Sequence, residues 1–161
     1  MKVKRAIILV LILIWMGTVF MFSNQESDES AGVSDGVAKL VIDIWPGTKN
    51  LNNEEKEEAI ERIGLPIRKV AHYTIYGVGG LLIVCLMNTY QISDGKKILY
   101  SQIIGSGYAI TDEIHQSFVS GRGASIKDVF IDSLGIATGI VFGLIVYKVI
   151  KAKMNVEKRK T

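Results

Sequence analysis

Apolar residues in this chain fall in four blocks separated by polar stretches. The first, Ala6 to Phe22, carries no charge over 17 residues. At ~1.5 Å per residue it reaches ~25 Å, near the short end of the membrane-spanning range. Lys2, Lys4 and Arg5 precede it, and no small-x-small cleavage site follows, so it reads as a retained anchor rather than a cleaved signal. Further spans are expected at about 67–87, 98–111 and 129–150. The third is short and can continue helically through Asp112–Gln116.

Residues 23–66 have helical periodicity of their own. Val33, Val37, Leu40, Val41, Ile44 and Trp45 share one helical face, and Pro46-Gly47 supplies a stop. That face either packs on the bundle or lies against lipid headgroups. A second helix is expected from Glu54 to Ile63, capped by Asn52 or Asn53 and ended by Gly64 and Pro66.

Composition agrees with a membrane class: 48% of the 161 residues are hydrophobic and 16 are Gly. Cys85 is the sole cysteine, so no intrachain disulfide forms. The net charge of +3 becomes informative once it is divided by location. Segments 1–5, 88–97 and 148–161 hold 11 Lys/Arg against Asp94 and Glu157, a balance of +9. The rest holds 8 Lys/Arg and 14 acids, a balance of −6. The positive-inside rule then places both termini in the cytoplasm. The expected architecture is all-α: a four-helix transmembrane bundle with cytoplasmic N and C termini and a helical extracellular loop between spans 1 and 2. Residues 1–150 form the membrane domain and 151–161 a basic cytoplasmic tail. The basic residues flank apolar runs and no nucleic-acid motif is present.

The polar residues near the spans repeat at helical intervals. Lys69, His72 and Tyr76 lie at i, i+3 and i+7, with Arg68 on the edge of that face. Asp112, His115 and Gln116 share a face of the third span, with Glu113 turned about 100° away. Asp128 and Asp132 head the fourth. A charge at membrane depth costs ~2.5–3.5 kcal/mol even on the lenient insertion scale, so these groups should face each other rather than lipid.

Three chemistries suit such a cluster. His115 with Asp112 or Glu113 can act as an oriented general base, with Arg68, Lys69 and Arg122 holding a phosphate or carboxylate. His72, His115 and Asp112 can ligate a metal, although the spacing matches no H-E-x-x-H pattern, and no cofactor is expected. The ion pairs can also be purely architectural. Because ionisable residues inside a membrane are functional by default, a binding site is the preferred reading. Ser117, Ser120 and Ser125 form no G-x-S-x-G elbow, while the glycine-flanked "SGRGAS" can wrap an anion or serve as an ordinary tight loop. Gly135, Gly139 and Gly143, four apart, allow close helix approach.

The segments "RKVAHYTIYGVGGLL" (68–82) and "YAITDEIHQSFVSGRGASIKDVFIDSLGIATG" (108–139) resemble the VanZ family of bacterial membrane proteins. The family's pattern falls on Arg68, Lys69, His72, Tyr76, Asp112, Glu113, His115, Gln116, Phe118, Gly121, Arg122, Asp128, Asp132 and Gly135. Asn24 departs from its S-S-Q element, and Ser120 stands where many members have Pro. The resemblance implies a multi-pass protein of the bacterial cell membrane, linked through the family's namesake to low-level teicoplanin resistance, with no established molecular activity. The function expected is binding of an amphiphile or envelope lipid, a lipoglycopeptide included, in an outward-facing polar pocket lined by Arg68, Lys69, His72, Tyr76, Gln116, Arg122, Asp128 and Asp132. The alternative is an enzyme acting on a lipid-linked phosphate or sugar through His115 and Asp112 or Glu113. A transporter is poorly supported by four short spans without a repeat.

Overall fold

Residues 2–157 are described by a computed structural model, and within them the chain is wholly helical. The five helices are α1 (Lys2–Ser23), α2 (Ser27–Ile44), α3 (Asn53–Met87), α4 (Asp94–Gln116) and α5 (Ile126–Glu157), with a short 3-10 turn at Pro46–Thr48. Three of them, α1, α3 and α5, are long and apolar enough to cross a membrane. The expected tail continues α5 through Glu157, and residues 158–161 lie outside those described.

Side-chain chemistry sets most of the helix ends. Asn52 and Glu55 form a reciprocal capping box at the start of α3, with bonds of 2.9 and 2.8 Å. Ser93 caps α4 by accepting from the Lys96 N–H. The chain does not stop at Gly64 and Pro66 as expected; α3 runs unbroken through both. Proline removes one N–H from the ladder, forfeiting only the bond to the Arg62 carbonyl. The flanking turns keep their own bonds and are held from outside. On one side Gly64 lies against Asp35 and Ser34 of α2. At ~1.5 Å per residue, the 35-residue α3 is ~52 Å long.

The α3–α5 contact is the most extensive in the molecule. The two helices run parallel, from Lys69 opposite Asp128 to Val84 opposite Gly143. A Cβ on Gly139 would collide with the Gly77 carbonyl, and one on Gly135 with the carbonyl of Tyr73. Gly80 lies equally close to the Ile136 backbone. The small-residue stripe of α5 is thus a backbone-to-backbone seam. Helices α1 and α4 run the opposite way along this pair. Trp15 of α1 lies over Gly79, and its indole N–H donates to the Ile75 carbonyl at 2.8 Å. Ile136 of α5 lies over Gly105 of α4. The core gathers around Trp15, Tyr76, Ile83, Ile136 and Ile140.

At the end of the bundle away from the polar cluster, Arg5 donates to the Thr89 hydroxyl and carbonyl at 3.0 and 2.7 Å and lies over the Tyr90 ring. Asp94 pairs with Lys97 and Lys148 at 3.0 and 3.3 Å. Those bonds, Lys97's first, hold its carboxyl below the ordinary range.

Helix α2 packs on α3 through a different face from the apolar one read in the sequence. Its buried positions are Ser34, Ala38 and Ile42, while Val33, Val37, Leu40, Val41, Ile44 and Trp45 stay exposed. Small residues win the contact because α3 presents Gly64 there, and the Asp35 carboxylate and Ser34 hydroxyl of α2 occupy the space a side chain would fill. The exposed face matches an interfacial helix rather than one buried by its apolar stripe.

The seam gives a direct prediction. Gly139→Ala forces a methyl into the Gly77 carbonyl and is expected to destabilise the protein by about 1–3 kcal/mol. Gly107→Ala, with open space around it, should be neutral or slightly stabilising through helix propensity. Thermal unfolding of the two variants in the same detergent distinguishes them.

Candidate functional site

The parallel seam fixes the register of the two polar stripes. Lys69 of α3 forms an ion pair with Asp128 of α5. One turn further in, His72 Nδ1 lies 3.7 Å from Asp132 Oδ1, within ion-pair range but beyond hydrogen-bond reach. Asp128 also begins α5, where its own N–H bonds the Ser125 hydroxyl at 3.4 Å. The spacing of three on α3 and four on α5 thus becomes two facing pairs.

A second set of polar residues comes from α4. Asp112 Oδ2 accepts from the Tyr76 hydroxyl at 2.9 Å and from Gln116 Nε2 at 3.2 Å. Gln116 Nε2 also donates to the Ser23 hydroxyl at the end of α1, at 3.2 Å. Tyr76, Asp112 and Gln116 are all buried. Hydrogen bonds to a charged acceptor contribute about 1.5–3 kcal/mol each, so this network ties α1, α3 and α4 together. Glu113 turns towards the following loop, where it accepts from the Ser125 N–H at 2.8 Å.

Gly121 is the turning point of that loop. Its φ of +72° is a left-handed conformation open to glycine at no steric cost, and Ser27 lies directly against it. The next residue, Arg122, directs one guanidinium nitrogen at the carbonyls of Phe22, Ser23 and Gln25, each at 3.3 Å. It therefore closes the orphan C-terminal carbonyls of α1. Burial first, and then the nearby Arg68 guanidinium, pull Arg122 below its ordinary range, while Asp112, Glu113 and Asp128 oppose that. Two cations share this mouth of the bundle.

These residues enclose a polar cavity of about 130 Å³. Helix α3 contributes Arg68, Lys69 and His72, and α5 contributes Asp128 and Asp132. Gln116 and Arg122 close the side formed by α4 and its loop. Tyr76, Asp112 and Glu113 do not border it; the first two lie behind it in the hydrogen-bonded network. His115 is also outside: its ring stacks on Phe20 of α1, with centroids 4.6 Å apart. Its Nε2 is buried without a hydrogen-bond partner, and no hydrogen bond or ion pair joins it to Asp112 or Glu113 among the described residues. Nor do His72, His115 and Asp112 converge: among the described residues no three His, Cys, Asp or Glu side chains gather as a metal site would require.

Beside the polar cavity lies an apolar one that the sequence did not reveal. It occupies about 240 Å³ between the end of α1, the first half of α2 and α3. Val19, Phe22, Val33, Val37 and Ile75 line it, and Arg68 and His72 belong to both cavities. The only sequence signal for it was the apolar periodicity of α2, whose Val33 and Val37 form one wall.

A long-helix bundle of this kind, with charged side chains turned inward on one another at one end, defines an α-helical membrane protein with an internal polar pocket. Residues 8–148 match the VanZ/LLP1 family model, and the chain belongs to that family. Among curated proteins and solved structures, no match was found.

Arg122→Ala tests whether the tie to α1 stabilises the protein in the absence of any ligand. Three charge-assisted but long bonds are lost, and the expected cost is about 1–2 kcal/mol. Arg122→Lys should recover part of it, read by thermal unfolding of ligand-free protein.

Proposed function

We propose that this VanZ/LLP1 family protein binds an amphiphile or envelope lipid, its polar head among Arg68, Lys69, His72 and Arg122 and an acyl chain in the neighbouring apolar cavity. The observation that carries this reading is the adjacency of one polar and one apolar cavity sharing Arg68 and His72. Ligand sites pair an apolar surface that supplies affinity with a few placed polar groups that fix orientation. A guanidinium fork suits a phosphate or carboxylate head, and Arg68 Nε is buried with no partner of its own.

In the proposed topology α4 completes a four-span bundle. The basic residues around Arg5, Lys97 and Lys148 face the cytoplasm, and the cavity opens at the extracellular face of the cell membrane. Residues 1–150 act as one membrane domain. A lipoglycopeptide such as teicoplanin combines a polar body with a fatty acyl chain and fits the same description. Acid–base catalysis by His115 draws less support, because His115 stacks on Phe20 and does not border the cavity.

Two experiments follow. Mass spectrometry of the purified full chain in mild detergent should detect an intact co-purified amphiphile. Ala71→Trp fills the apolar cavity from its exposed rim and should reduce that signal at least about ten-fold, as expected when an acyl segment loses its slot. An equal lipid load on the filled variant counts against the site, and a cleaved head group would favour the enzyme reading. Deletion of the gene in its host should lower the teicoplanin concentration that inhibits growth; unchanged susceptibility would separate lipid binding from resistance.

A further inference from the structure

Asp132 is a buried carboxylate whose hydrogen-bonding capacity is unmet. It is 0% exposed, and neither carboxylate oxygen has a hydrogen-bond partner. Its nearest cation is His72 at 3.7 Å, which is charged only when protonated. A buried carboxylate without donors costs several kcal/mol, so a donor should be supplied from outside the chain. Asp132 lines the polar cavity together with Arg68, whose Nε is also unpartnered. One cavity thus presents an unmet acceptor and an unmet donor, on adjacent helices.

The charges around it narrow the choice. Arg68, Lys69 and Arg122 supply three positive charges and Asp128 and Asp132 two negative ones, an excess of one positive charge among the permanently charged types of side chain in the lining. A head group with a single negative charge neutralises that excess. An ammonium donor would restore it, whereas a hydroxyl donor adds none. The donor that Asp132 needs is then a neutral one.

Resting on the amphiphile reading above, we infer that the head group is a phosphodiester monoanion that also carries a free hydroxyl: the phosphate lies against Arg68 and the hydroxyl donates to Asp132. Phosphatidylglycerol is the simplest membrane lipid of that chemistry. Phosphatidylethanolamine offers an ammonium donor and no net charge. Phosphatidylcholine offers a phosphate and no donor.

The test ranks these three lipids, with identical acyl chains, by native mass spectrometry of the full chain in detergent. Phosphatidylglycerol should bind about ten-fold or more tighter than phosphatidylcholine, the scale of one unmet buried polar group. Phosphatidylethanolamine should fall between them. In Asp132→Leu, which removes the acceptor, the preference for phosphatidylglycerol over phosphatidylmethanol, a phosphodiester monoanion of equal charge with no free hydroxyl, should shrink several-fold. The ranking of the unmodified protein stands even if that variant fails to fold. Equal binding of all three lipids overturns the inference and leaves amphiphile binding intact. Tighter binding of phosphatidylethanolamine than of phosphatidylglycerol overturns the charge argument. If inorganic phosphate or glycerol phosphate displaces phosphatidylglycerol at comparable concentration, the ligand is a free phosphate and the lipid assignment fails. Absence of binding by any lipid sinks the amphiphile reading as well.

Discussion

The close approach of α3 and α5 sets the rest of the structure. Inside a bilayer, helix association gains little from burying apolar surface, because lipid tails are as apolar as leucine. Glycine offers another route: with no side chain at Gly77, Gly80, Gly135 and Gly139, the two backbones reach van der Waals contact. That contact has only one good register, since shifting it would drive a side chain into a carbonyl. The register in turn puts Lys69 opposite Asp128 and His72 opposite Asp132. A packing rule at the middle of the membrane therefore decides which charges meet at its edge.

The remaining helices join this pair through side-chain packing reinforced by polar contacts. Helix α1 presents much of its apolar surface outward and is held by Trp15 to Ile75, by Tyr108 to Met16 and by Arg122 to its last carbonyls. Trp15, Tyr76 and Tyr108 also touch one another, with ring centroids 5.1 to 6.4 Å apart. This aromatic layer lies next to Asp112 and gives its buried carboxylate a partner in the Tyr76 hydroxyl. Among the residues that line the polar cavity, Arg68 Nε and the Asp132 carboxylate are buried without hydrogen-bond partners. Unmet polar groups in a cavity wall call for a partner from outside the chain.

Much of this was visible in the sequence wherever a local rule governed it. Helical spacing put Lys69, His72 and Tyr76 on one face, and the acid-rich start with Asn52 marked the cap of α3. The four-residue glycine interval on α5 announced a close contact. Features that depend on a distant partner were not visible. Pro66 looked like a terminator because nothing local shows that α2 packs against the turn before it, at Gly64. The face from Val33 to Trp45 fitted either bundle packing or an interfacial position, and nothing local shows that α3 offers Gly64 to a different side of α2. His115 shares a helical face with Asp112 and Gln116, yet its ring finds Phe20, a residue 95 positions earlier in the chain. Arg122 suggested an anion clamp, while its first obligation is to the carbonyls of α1.

The apolar cavity has a rim made of Phe22, Val33 and Val37, all exposed side chains. On the proposed reading, a recess edged by greasy residues on two separate helices would admit its guest sideways, from the leaflet, so the guest need not pass through water. Loading would then respond to how abundant the guest is among its neighbouring lipids, a two-dimensional quantity. A molecule with a negligible dissolved concentration would reach such a recess simply by partitioning into the bilayer.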